Sequence, residues 1–208
     1  MAWVRGAPGW LRSWPRFSKS EIWATLSAIA GLTLIAVLTV PYTYKVLYDE
    51  FVLQSTAWCL HELREVGATV LGYRIDGVFS TMQTYLDKRP FFFTFIVSLV
   101  HDLTGYRESN AFALNTVLMP VSLGLVYLLA RRFAQHRAAL GALVSFGAYS
   151  LLAQNATGAG MEMLNIVMLL LVMHLALWFL RKPDEPRLAA LVLGAVLLAQ
   201  TRYESSLY

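Results

Sequence analysis

Five long tracts almost free of charge dominate this sequence: 22–42, 111–130, 138–154, 163–180 and 188 to the end. Each approaches the ~20 apolar residues that a helix needs to cross a hydrocarbon core of ~30 Å. Hydrocarbon offers the backbone no water, so only helices and closed β-barrels satisfy every N–H and C=O there. The tracts lack the polar and apolar alternation of barrel strands. The expected fold is therefore all-α, a polytopic transmembrane helical bundle of about five spans. Charged residues are 14% of the chain, against ~25% in soluble domains. The single cysteine, Cys59, excludes an internal disulfide.

The formal charge of +4 sits largely outside these tracts, so it reports orientation and not a nucleic-acid partner. Arg5, Arg12, Arg16 and Lys19 precede the first tract. That tract is too long for a secretory signal and no small-x-small cleavage site follows, which predicts an uncleaved signal anchor with residues 1–21 cytoplasmic. The apolar stretch 91–103 is short for a span and is expected to lie along the interface. With that choice the basic loops Arg131-Arg132…Arg137 and Arg181-Lys182…Arg187 both fall inside, as the positive-inside rule asks. The outer face then carries a long first loop, 43–110, the turn 155–162 and the end of the last tract. Within the loop, Leu53, Ala57, Leu60, Leu63 and Val66 recur at helical spacing, opposite Glu62, Arg64 and Glu65, predicting an amphipathic helix over 51–71. Gly67, Gly72 and Gly77 are read as turns, and Pro90 opens an aromatic interfacial segment. Residues 22–208 are expected to form the N-terminal part of a larger membrane domain, because the last tract is still running at Tyr208.

Chemistry-bearing residues gather on the outer side. Asp49 and Glu50 follow the first tract; they suit a general base or metal ligand, though their residue types favour the N-cap of the next helix first. Glu162 opens the fourth tract after Gly158-Ala159-Gly160-Met161. A carboxylate at that depth faces a cavity or partner, or simply complements the helix dipole. Arg202 and Glu204 lie well into the final tract. An arginine there matches phosphate oxygens, unless the helix has already ended in an ordinary loop. Lys88 and Arg89 in Asp87-Lys88-Arg89-Pro90 meet lipid headgroups in general or one lipid-linked substrate in particular.

Other patterns lead nowhere. His61-Glu62-Leu63-Arg64-Glu65 lacks the second histidine of a zinc-protease helix. His174 in mid-tract reads as a packed, hydrogen-bonded histidine. Asn155-Ala156-Thr157 is a formal sequon too short to carry weight. Phosphate-loop, Ser-His-Asp and Cys/His cluster patterns are absent from the sequence.

In order along the chain, the acidic pair Asp49-Glu50, the run Lys88-Arg89-Pro90-Phe91-Phe92-Phe93, the Leu-Ala-Arg-Arg-Phe tract end at 129–133 and the acid Glu162 make this sequence resemble the GT-C glycosyltransferases. These take sugars from polyprenyl-phosphate carriers, and the protein mannosyltransferase-like and lipid A aminoarabinose transferase-like groups are the nearest in pattern. Arg89 stands where the pattern has a first proline, and Glu162 where a shorter acid is common. The resemblance implies an integral protein of a bacterial inner or plasma membrane, working with membrane lipid at the extracytoplasmic face of the cell envelope. It implies inverting transfer from a polyprenyl-phosphate-linked sugar to a protein, lipid or glycan acceptor. Asp49 would be the general base, with Glu50 beside it, and Glu162 would orient the acceptor. Lys88, Arg89, Arg202 and Glu204 would bind substrate. A divalent cation, if used, would sit on Asp49 and Glu162. Active-site closure would need later helices, so the fragment is expected to be inactive alone. Two rivals remain open from the residues: a transporter or flippase-like subunit, and a non-catalytic membrane assembly subunit.

Overall fold

The first helix, α1 (Lys19–Thr39), is launched by a capping box: Ser18 Oγ accepts from the Glu21 N–H, and the Glu21 carboxylate accepts from the Ser18 N–H. Thr25, Thr33 and Thr39 lie in an otherwise apolar helix, and each returns its hydroxyl to the carbonyl four residues back. This computed structural model describes residues 17–202, 204 and 205. Arg5, Arg12 and Arg16, and the end of the final tract, lie outside the described residues. Pro41 comes just after the helix and cannot donate to its ladder.

Among the described residues, three helices are long and apolar enough to cross a membrane: α1, α4 (Ser109–Ala130) and α7 (Glu162–Arg181). About five spans was the expectation, and the other two tracts do not form single helices of that length. The tract 138–154 divides into α5 (His136–Gly147) and α6 (Ser150–Ala156). At the break Gly147 meets α1 so closely that an added Cβ would lie 2.6 Å from Leu32 Cδ1, and Tyr149 turns extended before α6 begins. The last tract forms α8 (Glu185–Ala199), whose 15 residues reach only ~22 Å at 1.5 Å per residue. Asp184 caps its start by accepting from the Arg187 N–H at 3.1 Å.

The segment after α1 departs further from the all-α expectation. Helix α2 runs Leu47–Glu62, not 51–71, and Arg64 then takes a left-handed backbone, φ 58°, as chains often do just past a helix. The chain next forms a β-hairpin, β1 (Ala68–Ile75) paired antiparallel with β2 (Val78–Tyr85). Its two-residue connection, Asp76-Gly77, has positive φ at both positions, as the tight turn matched to strand twist requires. Valine, threonine and aromatic residues recur in both strands. Gly72 therefore marks no turn; it leaves room for the Phe79 ring, whose Cζ would lie 2.5 Å from an added Cβ. Trp58 meets the same ring edge-on at 5.1 Å, which seats the hairpin on α2.

After Pro90, α3 (Phe92–Thr104) is a 13-residue apolar helix, short of a bilayer core. It packs beside α2. Leu53 and Ala57 of α2 bury with Phe93 and Val97 of α3, Ala111 of α4, Leu164 and Met168 of α7 and Leu198 of α8. A second cluster joins α1, α4, α6 and α7 through Ala36, Met119, Leu123, Leu152, Ala156 and Met163.

Side-chain ties define two ends of this bundle. At one end Glu21 meets Arg131 at 3.5 Å, Tyr127 bonds His136 at 2.9 Å, and Arg132 feels the charge of Arg181. At the other, Tyr42 bonds Thr116 at 3.1 Å, Asn115 bonds the 158–160 turn, and Thr201 bonds Asn165 at 2.7 Å. Both basic loops belong to the first end and the predicted acids to the second. Midway, His174 Nε2 lies 3.0 Å from the Leu125 carbonyl oxygen, the packed histidine that its sequence context suggested.

Candidate active site

Helix α2 starts beside the turn that precedes α7, and this brings the three predicted acids together. Asp49, Glu50 and Glu162 line one small cavity of about 50 Å³ with Lys45, Leu53, Asn155, Gly158 and Gly160. That is space for a few water molecules. The two adjacent acids sit in the first turn of α2, whose N-cap is Val46, so neither is the cap residue itself. Both complement the positive end of the helix dipole.

Their surroundings differ. Glu50 is only 3% exposed. Its Oε2 accepts the N–H of Lys45 and, at 3.0 Å, of Val46, while Oε1 accepts the Ala159 N–H at 2.8 Å. Both oxygens are thereby committed to backbone donors, and one carboxylate ties the start of α2 to the 158–160 turn. The Asp49 side chain is 44% exposed and has one oxygen on the Arg89 guanidinium. Arg89 spreads its fork between Asp49 and Asp87, the second at 2.7 Å, and lies 5.7 Å over the Tyr48 ring. Burial works against the charge of Arg89, yet the bonds to Asp87 and Asp49 outweigh it and hold the guanidinium above its ordinary value. Nearby, a hydrogen bond with Tyr48 pushes the Tyr85 phenol up to about 12, so it stays neutral at physiological pH.

The other predicted residues spread around this centre. Lys88 is exposed next to Arg89. Arg202 lies just past the end of α8, pairs with Glu204 at 2.9 Å and acts electrostatically on Glu162. The backbone N–H of Glu204 and its bond from Arg202 hold the Glu204 carboxyl below its ordinary value despite partial desolvation. The turn carrying them is fastened by Thr201 and Ser205, whose hydroxyls both donate to Asn165 Oδ1, at 2.7 and 2.6 Å.

Sequence reasoning missed Asn115. It is fully buried in α4 and donates from Nδ2 to the carbonyls of Gly158, at 2.9 Å, and Gly160, at 2.8 Å. The signal was present: an amide inside an apolar tract is costly unless it has a partner. Lys45 and Asp87 were passed over too: Lys45 stands only four residues before Asp49, whereas Asp87 reaches the acids only through folding, by way of Arg89.

A divalent cation on Asp49 and Glu162 would have to share Asp49 with Arg89, which already holds one of its oxygens. Glu50 spends both oxygens on backbone N–H groups. Among the described residues no group of three or more His, Cys, Asp or Glu side chains is arranged to hold a metal ion.

The fold and this centre define a helical membrane protein with an acidic cavity, flanked by arginines, at one end of its bundle. Comparison with protein families matches residues 88–202, just over half of the chain, to the dolichyl-phosphate-mannose-protein mannosyltransferase family. The chain belongs to that family, which is of the GT-C type and comprises membrane glycosyltransferases that draw on a lipid-linked sugar. The match opens at Lys88 and closes at Arg202, so it includes Arg89 and Glu162, whereas Asp49, Glu50 and Glu204 lie outside it. No curated protein and no solved structure matches the chain.

Proposed function

We propose that this chain carries the catalytic acids of an inverting transferase, which moves a sugar from a polyprenyl-phosphate carrier to an acceptor hydroxyl at the extracytoplasmic face, with Asp49 as general base. The observation that carries the reading is the contrast between neighbouring carboxylates. Glu50 is sealed and fully bonded, while Asp49 is open to approach and anchored through one oxygen only. The second Asp49 oxygen is the one offered to an acceptor proton.

In this reading the acceptor oxygen attacks the anomeric carbon as its proton passes to Asp49. The bond from that carbon to the phosphate oxygen breaks, and its electron pair leaves with the carrier phosphate. One displacement inverts the anomeric centre. Charge growing on the phosphate is met by Lys88, with Arg89 and Arg202 close by, and such preorganised cations stabilise a transition state more than a ground state. Glu162 orients the acceptor. Donor and acceptor meet at the mouth of the cavity, since about 50 Å³ is too little for a pyranose ring. Glu50 works through the backbone it holds.

Orientation is part of the proposal. The end with Arg131, Arg132, Arg137, Arg181, Lys182 and Arg187 is taken as cytoplasmic by the positive-inside rule, with all five apolar tracts running between the two faces. The acids then open to the far side. Replacing Asp49 with Asn in the full-length protein tests the chemistry. Sugar transfer should fall about 10²–10⁴-fold, the usual contribution of a general base, with carrier binding kept. Transfer at the wild-type rate would remove Asp49 from that role.

A further inference from the structure

Between Thr157 and Glu162 the chain makes a turn that is held from both sides. Asn115 binds the carbonyls of Gly158 and Gly160, and Glu50 binds the N–H of Ala159 between them. Neither glycine has the positive φ that would demand glycine on conformational grounds; among the described glycines only Gly77 and Gly105 do. What a side chain would meet is therefore the informative question. A Cβ at position 158 would come within 3.1 Å of Glu50 Oε1 and Lys45 Cγ. A Cβ at position 160 would overlap Glu162 Oε2 and lie 3.3 Å from its Cδ and 3.6 Å from Glu50 Oε1.

The obstacle at 160 is the free end of a flexible side chain and not backbone. An alanine there would be accommodated at little cost to folding, by swinging the Glu162 carboxylate out of its place. With the turn clamped at both carbonyls, the backbone is not free to give way instead. We infer that Gly160 is a positioning residue for Glu162: the missing Cβ makes the space in which a glutamate, one methylene longer than aspartate, keeps its carboxylate in the cavity with Asp49. The inference rests on the reading of Glu162 as part of the reaction site, and extends it to the residue that decides which acid fits there.

The test uses the full-length protein as Gly160→Ala, Glu162→Asp and the double variant. Gly160→Ala should melt with the wild type and keep its KM for donor, while kcat falls on the order of 10²-fold, the usual effect of a ~1 Å misplacement near a reacting centre. Adding Glu162→Asp withdraws the colliding oxygen and should recover most of that loss, although Glu162→Asp alone is slower than wild type. A purely structural glycine would show no such rescue. Labelling of Glu162 by a water-soluble carbodiimide, read by mass spectrometry, should also rise in Gly160→Ala. Unchanged kcat and unchanged labelling overturn the inference, as does a fall in melting temperature with no recovery from the shorter acid. If the wild-type protein transfers no sugar, the proposed function fails, and the labelling still decides whether position 160 sets the carboxylate.

Discussion

Asp49 and Glu50 carry the same charge one residue apart, and their environments give them opposite tasks. Glu50 answers three backbone N–H groups from two segments and is closed to solvent. Glu50→Gln keeps the shape but loses the charge and turns an amide donor toward N–H groups. Hydrogen bonds to a charged group contribute ~1.5–3 kcal/mol each, so this variant should be destabilised by about 3 kcal/mol and lose activity together with stability. Asp49→Asn removes a carboxylate that is 44% exposed, and the half-buried Arg89 keeps its second partner, Asp87, at 2.7 Å. The unfolding midpoint of this variant should therefore stay near wild type. Denaturant unfolding of the two variants side by side checks this; equal losses would mean that Asp49 is also a structural acid.

At the scale of elements, α2 and α3 are joined beyond their apolar contact by Asp102, which bonds His61 at 2.6 Å and Arg64 at 2.9 Å. The Arg64 bond, then the His61 bond, hold the Asp102 carboxyl below the ordinary aspartate value of 3.8. A carboxylate with a depressed folded pKa contributes stability above its unfolded value, and that contribution is lost as pH falls through the folded one. The α2–α3 tie should thus be intact at neutral pH and fade below about pH 4. Melting curves from pH 6 downward should show a slope in that acid range that is smaller in Asp102→Asn. Among the elements themselves, α1, α4 and α7 were legible because long apolar tracts admit few alternatives in a bilayer. The hairpin was not, although Asp76-Gly77 between β-branched and aromatic runs is a recognised turn signal. The helical spacing of Leu60, Leu63 and Val66 masked it, since apolar recurrence continues for a few residues past the point where Arg64 breaks the helix.

At the scale of the molecule, basic loops at one end and acids at the other make the orientation testable. Cys59 is buried, so it adds little background to thiol labelling. Cysteine introduced at exposed Gln83 of the hairpin should react with an impermeant maleimide on intact cells. Cysteine at exposed Gln135 should react only after permeabilisation. The reverse pattern would place the acids in the cytoplasm and end the extracytoplasmic reading.

Apolar length and charge placement are properties of the chain read in order. For that reason the membrane class, the three long helices, the short α3 and the separation of Asp49 and Glu162 from the basic loops could be reasoned from sequence alone. Which acid is sealed and which is open, that Asn115 clamps a turn 43 residues away, and that Arg89 grips Asp49 were decided only by the tertiary structure. Burial and hydrogen bonding are properties of neighbours in space, and residues distant along the chain become neighbours only when the helices pack.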